Sequence, residues 1–316
     1  MLRPCSLVLF LLGILPSAAW GDHGKGAVGG KTISPRTLHE EDASLDLGFR
    51  YQKSETFDDS RLLSGAAEGH DIHSVDWLAE FSAAFGYGVT DHLTISASVP
   101  FEVIHGFRFV DTDPNTGNPF VNGANSIVGV GDATLLGKYS LLADPIELAV
   151  VGGIKIPTGS TDQRTNTGDL IEADHQPGSG SWDPLVGIAA GRQFEQFWLG
   201  TSVLYRITTE GRRQFTPGQS VLFAMKAEYQ ILGLGKFPRL YGSLELSEQF
   251  TAKDEQFGMK NQDTGGSLVG LGFGLRLRAD EHLTLGGMFT VPVYQALNGL
   301  QHRERYDLLL GTAYDF

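Results

Sequence analysis

The segment "EGHDIHSVDW" gathers the side chains of this sequence that are best suited to binding a metal ion. His70 and His73 stand three residues apart, beside Glu68, Asp71 and Asp76, and imidazole and carboxylate groups together can hold Zn²⁺ or Ni²⁺. In a strand-like segment, however, a three-residue spacing points the two rings to opposite faces, so only a turn would bring them together. We therefore expect polar loop residues and no metal here, and keep His70 and His73 as candidates for the alternative.

Hydrolysis and cofactor chemistry have less support in the residues. The sequence contains no Gly-x-Ser-x-Gly elbow, which would position a nucleophilic serine. The neighbours His73 and Ser74 do not make a triad, because a triad depends on placement in space. The only cysteine, Cys5, lies in a segment that we expect to be removed, which excludes disulfides and cysteine-bound zinc from the remaining chain. We expect neither an enzyme nor a cofactor.

The first segment, residues 1–21, reads "MLRPCSLVLFLLGILPSAAWG" and predicts a secretory signal peptide. A basic residue precedes a short apolar run, and the small residues Ala19 and Gly21 precede the expected cleavage point. Residues 22–42 are rich in glycine and have no period, which predicts a flexible or plug-like N-terminal arm, and residues 43–316 form the main domain. The net charge of −13 at pH 7 argues against nucleic acid as a partner.

From residue 43 onward, apolar and polar residues alternate along segments of about 9–11 residues, the length of a tilted membrane strand. A membrane β-barrel produces this alternation because only its outer face is apolar. The pattern predicts an all-β fold, a transmembrane antiparallel β-barrel of about twelve strands. The segments begin near Leu45, Ser74, Leu93, Val128, Ile146, Trp182, Phe197, Ser220, Arg239, Leu268, Leu283 and Arg303.

The connections between these segments are sorted by length. Short turns such as "GVTDH", "LADP" and "RADEH" alternate with long polar stretches such as "KSETFDDSRLLSGAAEGHD", "DTDPNTGNPFVNGANS" and "STDQRTNTGDLIEADHQPGSG". Outer-membrane barrels have short periplasmic turns and long extracellular loops, with an aromatic girdle at each membrane interface. The expected girdles contain Phe85, Tyr87, Tyr139, Phe197, Tyr229, Tyr314 and Phe316 at the turn end, and Tyr51, Trp77, Phe101, Tyr205, Phe223 and Tyr306 at the loop end.

The opposite parity of these strands faces the lumen and carries charges of both signs. One interpretation is a packed network of ion pairs that holds the wall together, because charges removed from bulk water need partners. The other is that some of these side chains line a path for a solute, although the mixed signs do not favour selection of a simple ion. The candidates for the solute path are Glu80, Glu102, Asp132, Lys138, Glu147, Lys155, Lys226, Glu228, Arg276 and Arg278.

Proline interrupts three of the strand-like segments, at Pro100, Pro157 and Pro292. Proline cannot donate a hydrogen bond to a neighbouring strand, and a closed barrel has no free edge to accommodate it. Each proline must therefore mark a bulge, a bend or the end of pairing. The simpler interpretation is that the strands end near the rim. The alternative is a kink that opens the wall or seats a solute, with Thr158 and Tyr294 beside it.

Several blocks of the sequence carry a family likeness. "YGVTDHLTISASVPF", "GVGDATLLGKYSLL", "GGIKIPTGSTD", "GSGSWDPLVGIAAGRQF" and "VPVYQALNGLQHRERYDLLLGTAYDF" resemble bacterial outer-membrane barrels described as transporters of the MetA pathway of phenol degradation. The likeness extends from about Tyr87 to the C-terminus. The last block, with Tyr314 and Phe316 in one register, also resembles the insertion signal that the barrel-assembly machinery reads.

The resemblance implies a barrel in the outer membrane of a Gram-negative bacterium, in contact with the lipids of that membrane and without a cofactor. It also implies that the protein is a channel or transporter for small hydrophobic or aromatic solutes. We adopt this as the expected function. The alternative is a structural or surface-binding barrel with a sealed lumen, and a metal-handling role is a third possibility.

Overall fold

The structure, a computed structural model, describes residues 30–316, so the expected signal peptide and residues 22–29 of the arm lie outside the described residues. Strands make up most of the described part, and they form one antiparallel sheet that closes on itself. The strands of the wall are β1 (Ala43–Ser54), β2 (Trp77–Thr90), β3 (Leu93–Thr112), β4 (Pro119–Val130), β5 (Ala133–Leu142), β6 (Glu147–Ile156), β7 (Asp183–Phe194), β8 (Phe197–Arg206), β9 (Ser220–Leu232), β10 (Arg239–Thr251), β11 (Gly266–Arg278), β12 (Leu283–Leu297) and β13 (Glu304–Asp315).

The first and last strands close the barrel. β1 pairs with β13 from Ser44 opposite Asp315 to Ser54 opposite Glu304. β4 and β5 both pair with β3, β4 with its second half and β5 with its first half, so these two strands share one position in the wall. The barrel therefore has twelve wall positions, and the predicted antiparallel barrel of about twelve strands is confirmed.

The fourth wall position differs from the sequence-based prediction. Except for the strand predicted near Val128, the predicted starts lie within three residues of observed starts. The stretch that we expected to be a loop after β3 is largely strand, because β3 and β4 form one long hairpin. The wall is interrupted between β4 and β5 at Asp132, whose carboxylate accepts hydrogen bonds from Gly159 N at 2.9 Å and Ser179 N at 3.0 Å. These bonds draw the chain out of the ladder.

One edge of β4 has an unusual covering. β3 pairs along one edge, and within residues 30–316 no strand pairs along the other. That second edge is met by residues 157–182, called loop 157–182 below. Its Ser160 N donates to Val130 O at 2.8 Å, and its Asn166 N donates to Gly123 O at 2.8 Å.

The two ends of the barrel have different connections. The short turns lie at one end, the turn rim, and the long connections lie at the other, the loop rim. The first long connection contains helix α1 (Asp59–Ala67), whose N-cap Asp58 accepts a hydrogen bond from Arg61 N at 2.8 Å. Within the described residues, no helix is long and apolar enough to cross a membrane.

The outer and inner faces of the wall have opposite polarity. Large apolar side chains such as Phe85, Phe101 and Leu275 are 41–59% exposed on the outer face, and the aromatic residues of both predicted girdles lie on that face, exposed or half-exposed. The charged residues of the opposite parity are buried or half-buried inside. A wall that is apolar outside and polar inside is the arrangement of an outer-membrane barrel.

Apolar packing is concentrated in three places. Two clusters lie at the loop rim. One joins the β3–β4 hairpin to loop 157–182 through Phe107, Ile127 and Ile171, and the other packs helix α1 against the same hairpin through Leu62. The third cluster lies inside the barrel wall, and its buried side chains include Ile33, which precedes β1. These clusters fix where the inserted segments of the chain lie relative to the lumen.

Candidate functional site in the lumen

An apolar patch covers part of the inner wall between the two rims. It consists of Val151 on β6, Leu185 and Ala189 on β7, Leu204 on β8 and Leu222 on β9, none of them more than 5% exposed. We call these five side chains the lumen patch. Along this part of β6 and β7, the inward-facing residues are apolar like the outward-facing ones. Apolar side chains therefore face the lumen here, and the alternation with polar residues is lost.

The lumen patch is covered by the chain that precedes β1. The described part of the arm, residues 30–42, runs inside the barrel towards the turn rim. There Leu38 N donates to Thr94 Oγ1 at 2.8 Å. Ile33 packs on the lumen patch and is 6% exposed. Its backbone N–H donates to Ser202 Oγ at 3.0 Å. One branched aliphatic side chain thus occupies the apolar surface that the wall presents.

A single carboxylate on β10 holds the start of the arm. Glu245 accepts hydrogen bonds from Lys31 N at 2.8 Å, from Thr32 N at 2.9 Å and from Thr32 Oγ1 at 2.7 Å. The side chain of Glu245 is buried. An anion bound by several N–H and O–H donors is stabilised without a cation, so Glu245 serves as an anchor for the arm.

Two of the candidates for the solute path contact the arm directly. Glu147 forms an ion pair with Arg36 of the arm, at 2.7 Å between Oε1 and Nε, and it also accepts a hydrogen bond from Trp198 Nε1 at 3.0 Å. Lys138 donates to the carbonyl of Ser34 at 3.0 Å. Sequence spacing alone could not predict these contacts, because the arm and the wall meet only after the barrel has closed.

Four further candidates lie between the lumen patch and the turn rim. Arg276 donates through Nε to Glu228 at 3.0 Å, and both side chains are about 10% exposed. Lys226 lies over the ring of Trp198, 6.0 Å from its centroid. Arg278 is at the turn rim, where it donates to a carbonyl of the adjacent turn at 3.3 Å. This region is a polar layer below the lumen patch.

A second polar layer lies on the loop side of the lumen patch. Lys155 forms ion pairs with Asp132 at 2.6 Å and with Asp183 at 3.2 Å, and all three side chains are 5% exposed or less. Asp132 also accepts a hydrogen bond from Ser179 Oγ at 2.7 Å, and Lys155 donates to Ser181 O at 3.1 Å. Asp132 and Lys155, both candidates for the solute path, therefore hold loop 157–182 to the wall.

The last two candidates for the solute path lie close to this layer. Glu80 is fully buried in the wall, beside the ion pair between Arg50 and Asp307, whose atoms Nε and Oδ1 are 3.0 Å apart. Glu102 lines a cavity below loop 157–182. The charged residues that share the cavity with it are Asp132, Lys155, Asp174, Asp183, Arg206 and Asp254.

The prolines fall where the ladder is interrupted. Pro100 lies opposite the break between β4 and β5, and its carbonyl accepts a hydrogen bond from Gly131 N at 2.9 Å. Pro157 follows the last residue of β6, and the next residue, Thr158, accepts through Oγ1 a hydrogen bond from Ala133 N at 2.8 Å. Both prolines mark points where strand pairing stops. The end of pairing is one of the three possibilities predicted from the sequence.

Pro292 lies beside a bulge and a partial opening in the wall, called the seam below. The register with β11 shifts between Pro292 and Tyr294, and Tyr294 is exposed on the outer face. The ladder between β12 and β13 ends at Thr290 opposite Asp307. Beyond that point, Gln295 bridges the two strands.

The bridge across the seam is a pair of hydrogen bonds from one side chain. Gln295 donates through Nε2 to Glu304 O at 2.9 Å, and it accepts through Oε1 from Glu304 N at 2.9 Å. A side-chain amide thus replaces one backbone unit of the ladder.

The predicted histidine pair separates into different contacts. His70 lies 2.8 Å from Asp263, measured between Nδ1 and Oδ1. His73 is buried, and its Nε2 lies 3.2 Å from Glu172 Oε2. Glu172 and His175 of loop 157–182, which are not among the candidates predicted from the sequence, approach His73 so that one ligand atom from each residue lies within 4.8 Å of the others. The signal that could have identified them is the run "IEADHQ" within the long loop.

Burial changes the protonation of this histidine group. Burial lowers the pKa of His175 to about 4, so its ring is neutral near pH 7. Burial raises the pKa of Asp174 well above its usual range, and the negative charge of Glu172 raises it further. Burial also raises the pKa of Asp71 to about 7. The loop rim therefore holds the neutral ring of His175 among carboxyl groups that are costly to ionise.

The C-terminal residues lie on the outer face at the turn rim. Tyr314 and Phe316 are 44% and 64% exposed, and their rings contact each other edge to face at 5.0 Å. Phe316 N donates to Ala43 O at 2.8 Å, which ties the end of the chain to the start of β1. Their role in membrane insertion stays a prediction.

The fold is similar to that of one solved outer-membrane channel. The COG4313 outer membrane channel from Pseudomonas putida F1 is 14% identical, with a TM-score of 0.60 over 89% of this chain and 97% of that chain. The β domain of the Bordetella autotransporter BrkA is 11% identical, with a TM-score of 0.45 over 88% and 100% of the two chains. A Pseudomonas aeruginosa FadL homologue is 9% identical, with a TM-score of 0.44 over 95% and 97%. No protein-family model and no curated protein sequence matches this chain.

Proposed function

We propose that the protein is an outer-membrane channel for small hydrophobic or aromatic solutes, in which the lumen patch is the resting site of the solute. The observation that supports this most directly is the packing of Ile33 on Leu204, Leu222 and the rest of the patch. A polar lumen has no need of an apolar surface of this size. The arm then acts as a removable plug.

The energetics of the patch suit a solute of modest affinity. Burying a side chain the size of isoleucine contributes about 1.5–3 kcal/mol. A small aromatic molecule that replaces Ile33 would gain a similar amount, so it could compete with the arm without being trapped. The polar layers that contain Glu147 and Lys155 lie on either side of the patch and favour release to water.

The location follows the same proposal. The apolar outer face would contact the lipids of the outer membrane of a Gram-negative bacterium, with the turn rim in the periplasm. Residues 1–21 would be removed during secretion, and the barrel-assembly machinery would read the terminal register of Tyr314 and Phe316. The likeness to a solved outer-membrane channel supports the channel role, and the sequence resemblance supports the hydrophobic solute class. We propose no catalytic role.

A second candidate function is a structural or surface-binding barrel with a sealed lumen. The observation that favours it is the number of lumen charges already engaged in ion pairs, such as Lys155 with Asp132 and Arg276 with Glu228. In that case the long connections at the loop rim would carry the function, and no solute would cross the barrel.

Uptake of an apolar solute distinguishes the two functions. Leu204→Asn together with Leu222→Asn puts amides into the lumen patch, and we expect at least a fivefold loss of radiolabelled toluene uptake by cells that express the barrel. The matched control is Ala313→Asn, which adds the same amide at a buried inner position on β13. The amount of folded barrel is measured by heat-modifiable mobility on gels. Wild-type uptake no higher than that of cells without the barrel would favour the sealed barrel, and equal uptake above that level by the wild type and the double variant would contradict the role of the lumen patch.

A further inference from the structure

The lumen patch and its plug leave one group of side chains at the loop rim without a role. His73, Glu172 and His175 each offer one ligand atom, and these atoms lie within 4.8 Å of one another. His73 Nε2 is already 3.2 Å from Glu172 Oε2. Two imidazoles and one carboxylate are a ligand set that binds Zn²⁺ in proteins.

Rigid packing positions the two imidazole rings. The ring of His73 stacks on Phe107, with centroids 5.7 Å apart and planes at 11°. The ring of His175 lies 4.3 Å from the same phenylalanine. Gln176, the next residue, donates through its side-chain amide to Ile171 O at 2.7 Å and so fixes the backbone of this part of loop 157–182. Ligands held in this way lose little entropy when an ion binds.

The carboxylate of Asp174 gives an independent indication of a ligand. Its side chain is fully buried, and within residues 30–316 neither of its oxygens makes a hydrogen bond of good geometry. One of them, Oδ1, lies 2.9 Å from His175 Nδ1. A metal-bound histidine usually directs its second ring nitrogen to a carboxylate or a carbonyl. Asp174 is placed for that role, which leaves Nε2 of His175 for the ion.

Carboxyl groups surround the two imidazole rings, and a bound cation would add to the positive charge of Arg213 nearby and stabilise their ionised forms. Asp71, Glu172 and Asp174 bring three carboxyl groups together, and Asp71 Oδ1 lies 3.7 Å from His73 Nε2. Ionised carboxylates are costly to bury unless a positive charge accompanies them. Mg²⁺ and Ca²⁺ prefer oxygen ligands only, whereas a set of two nitrogens and one oxygen favours Zn²⁺ or a similar transition metal.

We propose that His73, Glu172 and His175 bind one Zn²⁺ ion, with Asp174 orienting His175. The ion joins the connection that follows β1 to loop 157–182, and it fastens both segments over the barrel. Three protein ligands leave a fourth position for water or a further ligand. The site does not depend on the transport of a solute, so it stands or falls separately from the channel function.

The proposal is tested by calorimetric titration of the purified, untagged barrel with ZnCl₂ after removal of metals by a chelator. We expect one saturable equivalent. His175→Ala should weaken binding at least 100-fold, and Asp174→Asn should weaken it about 10–100-fold, the usual cost of losing a carboxylate behind a ligating histidine. The control is His70→Ala, which removes a nearby imidazole that contacts Asp263 instead and should leave the affinity unchanged.

Two results would overturn the proposal. One is the lack of a saturable equivalent in the wild type, and the other is a loss of affinity in His70→Ala as large as that in His175→Ala. If His175→Ala does not fold, the wild-type barrel is titrated with CoCl₂ and followed by visible absorption. Intense bands that saturate at one equivalent would support a site of low coordination number, and weak bands that rise without saturation would overturn it.

Discussion

Two segments of the chain enter the barrel, the arm from the turn rim and loop 157–182 from the loop rim, and they are held by different chemistry. The arm is held through hydrogen bonds to Glu245, through a partly exposed ion pair between Arg36 and Glu147, and through the apolar side chain of Ile33. The loop is held by the two buried ion pairs of Lys155 and by the apolar cluster that contains Ile171.

The difference indicates which segment can move. Bonds from backbone N–H groups to one carboxylate can be exchanged for water at small cost, because water can solvate both sides. Separating a buried lysine from two buried carboxylates is costly, because it leaves unpaired charges that water does not solvate. We therefore expect the arm to leave and return during transport while loop 157–182 stays in place. Five variants test this comparison and the parts of the wall next to it.

The largest effect is expected from Lys155→Met. It leaves Asp132 and Asp183 buried without their ammonium partner, which should lower the free energy of unfolding by about 3–5 kcal/mol. Urea unfolding in lipid vesicles, followed by tryptophan fluorescence, measures the change. The control is Lys260→Met, at an exposed position at the loop rim, which should stay within about 0.5 kcal/mol of the wild type. Similar losses in the two variants would remove the distinction between loop and arm.

A smaller effect on stability, with a larger effect on transport, is expected from Glu245→Gln. Replacing the charged acceptor of Lys31 and Thr32 should cost about 1.5–3 kcal/mol, release the arm and raise apolar solute uptake severalfold. The control is Glu248→Gln, three residues along the same strand on the exposed face. Uptake is measured with cells that contain equal amounts of folded barrel. A decrease in uptake would mean that the arm assists transport rather than blocking it.

The third test concerns the seam. Because we expect loop 157–182 to stay in place, the weaker parts of the wall are the next places to test. Gln295→Ala removes both hydrogen bonds to Glu304 and should cost about 1–2 kcal/mol. Hydrogen exchange at the Glu304 amide should become faster. Gln230→Ala is the control, since its side chain bonds only to carbonyls of its own turn among the described residues. Unchanged exchange at Glu304 would show that the seam does not depend on this bridge.

The smallest effects are expected from the prolines. Pro157→Val should change the free energy of unfolding by no more than about 0.5 kcal/mol and leave uptake unchanged, because β6 already ends at Ile156. Pro292→Val acts beside the bulge and the seam, and we expect it to lower uptake about twofold without lowering the amount of folded barrel. If both variants transport like the wild type, Pro292 only marks an irregular strand.

The number and direction of the strands could be predicted because period-two alternation depends only on neighbouring residues. The partners of the inner charges could not be predicted, because they depend on how the strands are staggered and on what enters the lumen. Lys138 faces the lumen as its parity requires, yet its bond to Ser34 needs the arm in place. The lumen patch could have been recognised from "ELAVVGGIKI", because the residues between Glu147 and Lys155 are apolar on both faces of the strand.

The covering of β4 has a consequence for how copies of the protein behave towards one another. A strand edge with unsatisfied N–H and C=O groups recruits strands from other molecules, and this leads to self-association. Here two backbone bonds from Ser160 and Asn166 occupy that edge. If loop 157–182 were cut or displaced, this edge of β4 would be exposed and unpaired. We expect such a barrel to pair edge to edge with other copies at the membrane surface. The loop thus protects this strand edge from pairing with another copy.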